Sequence, residues 1–184
     1  MCVQDEICKS VTDKGGLELV MKFITTSREQ NHKIMARSAC LLLIQLSSSD
    51  TNKNAVVQQL GGLPQIVDLI SHFSQEASVV QEALTAVAVL TRSPVNAGEA
   101  VKSGVVDVTA EMMDKHTGSP GLQRQACQLI RNLAVRNLEN RNSFCCINEK
   151  RGVKNTFVHL KVHGVLVKKH QTYPGVLLGH YGLS

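Results

Sequence analysis

Along VVQEALTAVAVLT the apolar residues Val80, Ala83, Leu84, Val87 and Leu90 return at the i, i+3, i+4, i+7 spacing, with Gln81, Glu82 and Thr85 between them. That spacing predicts a helix buried along one face. PQIVDLISHF upstream is also helical in period, and the shorter NAVVQQL precedes it across the pair Gly61 and Gly62. Glycine reaches positive φ without steric cost, so the pair marks a sharp break, with Gly62 expected to take that conformation. Pro64 suits the first turn of the next helix, whose early N–H groups have no intrahelical partner. The pattern reads as one unit of short helix, kink, middle helix and longer third helix.

The same unit is written more than once. GGLELVMKFI at 15–24 matches GGLPQIVDLI at 61–70, with Val20 answering Ile66, Met21 Val67, Phe23 Leu69 and Ile24 Ile70. Gly16, Gly62 and Gly104 are separated by 46 and 42 residues. Ala39, Ala83 and Ala126 are each followed seven residues later by Leu46, Leu90 and Leu133, in steps of 44 and 43. Asn54 and Asn96 each stand eight residues before Gly62 and Gly104. Independent markers on one approximate period define a tandem repeat, with units at about 5–48, 52–92 and 96–137. No unit alone hides its apolar stripe. Stacked neighbours do, so the predicted fold is an all-α helical solenoid.

Beyond Asn142 the pattern changes. Residues 145–184 carry six basic side chains against the single acid Glu149, which accounts for the whole +5 of the chain. Four of the seven histidines fall there (His159, His163, His170, His180), and only a strand-like alternation at Val158, Leu160 and Val162 replaces the helical period. A basic, poorly ordered tail after 144 neutral residues is expected, of the kind an alternative transcript end would supply. Without a capping helix pair, the last unit is expected to leave Leu129, Ile130 and Leu133 open, a face for self-association.

Composition adds limits. Apolar residues are 43% of 184, enough for a core in one short stack. The run from Ala39 to Ile44 stops at Gln45, well short of the roughly 20 residues that cross a bilayer. MCVQDE places acids where a secretory leader would carry Lys or Arg. Cys40 and Cys127 follow alanines inside apolar helical segments, where a free thiol acts as a small hydrophobe, so a reducing cytoplasmic or nuclear compartment is expected.

The unit N-x-V-V-x-x-x-G-G-L-P-x-I-V-x-L-I, followed by V-V-Q-E-A and later R-N-L-A, resembles the armadillo repeat over roughly residues 5–142. The resemblance implies a right-handed solenoid of about three repeats whose third helices line a concave groove for protein partners. The start is abrupt by that pattern, with Cys8 at the place of the repeat Asn, so an open slice of a longer solenoid is expected. In peptide-binding members an Asn near the end of the third helix bonds the backbone of an extended partner. Here that position holds Gln45, Val89 and Asn132, of which Asn132 matches and Gln45 offers the same amide one carbon further out. Arg124, Gln128 and Arg131 add donors nearby. Members that carry nuclear localisation signals place Trp one turn earlier, where this chain has Leu41, Thr85 and Gln128, so nuclear import by that mechanism is disfavoured.

No catalytic motif appears: there is no phosphate loop, G-x-S-x-G, H-E-x-x-H or G-x-G-x-x-G. Cys146, His159 and His163 imitate half of a zinc finger, but Cys145 and Cys146 are adjacent and cannot form the knuckle, so neither metal nor cofactor is expected. His32, His72 and His116 read as solvated residues at helix ends. The sequence thus favours a non-catalytic scaffold binding a protein segment at Gln45, Arg124, Gln128, Arg131 and Asn132. Nucleic-acid binding through Arg151, Lys168 and Lys169 is the first rival. A truncated product without a separate function is the second.

Overall fold

The structure, a computed structural model, describes residues 3–136. The expectations for residues 145–184, including the basic tail and the imitation zinc finger, lie outside the described residues. The described residues are all-α and form a helical-repeat solenoid. Its helices come as triplets. The first is α1 (Val3–Asp13), α2 (Gly16–Glu29) and α3 (Lys33–Leu46). The second is α4 (Asp50–Asn54), continued by a π-helical turn at Ala55–Gln59, then α5 (Gly62–His72) and α6 (Ala77–Leu90). The third is α7 (Pro94–Lys102), α8 (Val105–Lys115) and α9 (Pro120–Arg136).

Two rows build the stack. The third helices α3, α6 and α9 pack side by side, and the middle helices α2, α5 and α8 form a second row against them. Leu43, Leu84, Leu69, Met112 and Leu129 are wholly buried in the core that the rows share. The helix α6, in the middle of its row, is apolar nearly all round, because it is covered by neighbours on both sides.

The glycine pair works differently from the expectation. Positive φ belongs to the first glycine: Gly15 (φ 81°), Gly61 (φ 58°) and Gly104 (φ 76°). Gly62 instead begins α5, and a Cβ there would come 2.6 Å from Val56 Cγ1 and 3.0 Å from the Val56 carbonyl oxygen. One glycine turns the chain, and the other lets the short helix touch the middle one. In this register Gly104 matches Gly61, not Gly62.

The asparagine marker also moves. Asn52 Nδ2 donates to the Leu46 carbonyl (2.6 Å) and Asn96 Nδ2 to the Leu90 carbonyl (3.1 Å), so Asn52, not Asn54, is the partner of Asn96. Nine residues separate Asn52 from Gly61 and eight separate Asn96 from Gly104. The π-helical turn, closed by Leu60 N–H to the Ala55 carbonyl, takes up the extra residue.

The face of the last described unit is not open as expected. Leu129, Ile130 and Leu133 are buried, since α9 packs against α6, α7 and α8. Among the described residues, the large apolar side chains that are exposed are Ile7, Val11, Leu19, Phe23, Ile34, Leu41 and Leu42 of the first triplet and Val95 of the third.

Candidate functional site

The third-helix row presents the side chains that its buried stripe leaves over. On α9 the stripe is Leu122, Ala126, Leu129 and Leu133, so Arg124, Gln128 and Arg131 fall on the outer face at i, i+4 and i+7. All three are exposed, and none bonds another described residue. On α3 the matching positions are Arg37 and Leu41, both exposed, and Ile44, which is half-buried, while the exposed Gln45 matches Asn132. On α6 they are Gln81, Thr85 and Ala88, and Val89, the equivalent of Asn132, is only 8% exposed.

The five residues singled out by sequence therefore divide. Arg124, Gln128, Arg131 and Asn132 share α9, while Gln45 stands two helices away on α3. Asn132 is half-buried, and its Nδ2 donates to the Ala88 carbonyl of α6 at 3.0 Å. That bond ties α9 to its neighbour, and Oδ1 is the group of Asn132 that has no described partner.

Two contributors were not anticipated. Arg37 reaches across the row to Glu82 of α6 at 3.7 Å, leaving the arginine half-exposed and the acid mostly covered. Its equivalence to Arg124, two repeat periods later, was the available signal. Leu41, 41% exposed, puts an apolar side chain at the position that holds Gln128 on α9.

The three described histidines are structural joints. His32 Nδ1 accepts the Met35 N–H at 3.2 Å and caps α3. His72 Nε2 donates to Asn31 Oδ1 (3.1 Å) and His116 Nε2 to the Ser74 carbonyl (2.8 Å), each joining neighbouring triplets. Burial pushes the Cys40 thiol up to about 12, and the nearby Glu82 charge adds to the effect. Such a thiol stays protonated and packs as a small hydrophobe. None of the described cysteines forms a disulfide. Among the described residues no three His, Cys, Asp or Glu side chains gather as metal ligands, and no helix is long and apolar enough to cross a membrane.

Two clefts, of about 330 and 460 Å³, lie off this outer face. One is at the turns around Asn31 and His72, the other between α1 and residues 48–52. Over the described residues, the candidate surface is an open face of side-by-side helices.

Residues 43–92 match the family model of the armadillo/beta-catenin-like repeat. The match spans the end of α3 through α6, one period of the stack. No curated protein matches the chain.

Proposed function

We propose that this chain is a non-catalytic interaction scaffold that holds a peptide or protein segment along the third-helix row, using Gln45, Arg124, Gln128, Arg131 and Asn132. The observation that carries the reading is the outer face of α9, where two guanidinium groups and an amide stand in line, exposed and without described partners. Repeat units that pack rigidly on one another offer a preformed template, which lowers the ordering cost of binding. We further propose a reducing cytoplasmic or nucleocytoplasmic location. We also propose, from the order and spacing of DEICKSVTDKGGLELVMKFI, NAVVQQLGG and GLQRQACQLIRNLA, a relation to the C-terminal half of armadillo repeat-containing protein 6.

The test is affinity capture quantified by mass spectrometry, with the full chain compared against Arg124→Ala combined with Gln128→Ala and Arg131→Ala. Proteins depleted by the triple variant, with thermal melting unchanged, are the expected result. A capture profile identical for both chains would move the binding surface off α9.

A further inference from the structure

Charge is sorted between the two rows. Among the described side chains, the three third helices carry Lys33, Arg37, Arg124 and Arg131 against the single acid Glu82. The three middle helices carry Glu18, Glu29, Asp68, Asp107, Glu111 and Asp114 against Lys22, Arg28 and Lys115. A near-neutral body thus has an acidic row and a basic row. The field of a basic face attracts anions from solution and repels cationic partners.

The basic row is not uniform. At the α3–α6 step Glu82 answers Arg37, so the local charge cancels. Arg124 and Arg131 on α9 have no such partner among the described residues and lie seven residues apart on one helix, roughly 10 Å at 1.5 Å per residue. Leu41 at the α3 end is apolar and exposed, while the equivalent Gln128 at the α9 end is polar. The face therefore has a cationic end and an apolar end. Two interhelical steps of roughly 8–10 Å separate α3 from α9. An extended chain rising about 3.3 Å per residue covers that span in about six residues.

Resting on the reading of the third-helix row as a peptide-binding face, we propose that its partner is an acidic extended protein segment. Its carboxylates pair with Arg124 and Arg131 of α9, and an apolar side chain about six residues away packs on Leu41 of α3. Arginine suits this role because its planar fork meets a carboxylate through two parallel N–H bonds. The sorted charge also fixes what is rejected. A basic segment meets two guanidinium groups that have no described partner and gains no carboxylate from the described third helices in return, since Glu82 is already held by Arg37.

The experiment is selection of displayed random peptides, about twelve residues long to cover the span twice, on the full 184-residue chain. The expected ligands carry Asp or Glu together with an apolar residue about six positions away. Arg124→Ala with Arg131→Ala should weaken them about tenfold or more, and Leu41→Ser by a smaller factor. Arg124→Glu with Arg131→Glu should turn the selection toward Lys and Arg. All these positions are exposed, so unchanged melting is the control for folding. Neutral or basic ligands that still depend on Gln128 and Arg131 would overturn the acidic assignment and leave the groove reading standing. Ligands indifferent to every α9 substitution, or no enrichment at all, would overturn both. Tighter binding of oligothymidylate than of any selected peptide, lost in the same double variant, would assign the arginines to nucleic acid instead.

Discussion

Asn96 Nδ2 donates to the Leu90 carbonyl at 3.1 Å, fastening the first helix of one repeat to the last residue of the third helix before it. Asn52 makes the same bond to Leu46 one repeat earlier. Asn96 is wholly buried, and its Oδ1 has no partner among the described residues. Alanine removes the donor to Leu90 but also removes that unsatisfied acceptor, so Asn96→Ala should cost about 1–2 kcal/mol. Asn96→Asp should cost more, because a buried carboxylate would then face a carbonyl oxygen. Chemical denaturation of the three proteins tests the ordering. An aspartate variant as stable as wild type would remove the bond from the account of repeat joining.

The two glycines of the kink should respond to alanine differently. Gly61 has positive φ and open space around it, so Gly61→Ala should cost about 1–2 kcal/mol of backbone strain, and Gly61→Asn less. At Gly62 the obstacle is the Val56 backbone oxygen, which cannot step aside as a side chain would. Gly62→Ala should therefore melt lower than Gly61→Ala. The reverse order would sink the division of labour between the turn and the close approach.

The helical repeat was legible in the sequence because burial on one face imposes a period that survives substitution. Val80, Ala83, Leu84 and Val87, read as one face, are all buried. The register was less legible, for reasons of geometry. A π-helical turn adds one residue between Asn52 and Gly61, and α2 is three residues longer than α5, so markers counted from different glycines drift against one another. The row face was legible only in part. Periodicity put Arg124, Gln128 and Arg131 outside the buried stripe. It carried no signal that Asn132 spends its donor on Ala88, or that Arg37 meets Glu82, because both are contacts between helices.

Cys40 ties thiol chemistry to stability. The unfolded thiol sheds its proton near 9.0, while the buried one holds it to about 12. Between those values the unfolded chain binds fewer protons than the folded chain, so stability falls as pH rises, by at most about 1.4 kcal/mol per pH unit from this group. Below that window the contribution is flat. Cys40→Ala should remove the slope, which the pH dependence of urea midpoints for the two proteins would reveal. In the native chain at neutral pH, iodoacetamide should leave Cys40 unmodified while the half-buried Cys8 and Cys127 react first. Peptide mapping that finds Cys40 alkylated as fast as Cys8 would contradict its burial.

Arg131 and Asn132 are neighbours in sequence with different duties, and their alanine variants should separate stability from binding. Arg131 is exposed and bonds no described residue, so Arg131→Ala should change stability by less than about 0.5 kcal/mol. Asn132 spends its Nδ2 on the Ala88 carbonyl, a bond that spans α9 and α6, so Asn132→Ala should cost about 1 kcal/mol. A partner lying on the row face would then be weakened by Arg131→Ala with melting unchanged, whereas Asn132→Ala would lower the melting temperature whether or not a partner is present. Thermal melting of both variants, alone and with a peptide selected on the native chain, distinguishes the two roles. Should Arg131→Ala melt below Asn132→Ala, the guanidinium would be holding the stack together, and the α9 face would lose its standing as a free binding surface.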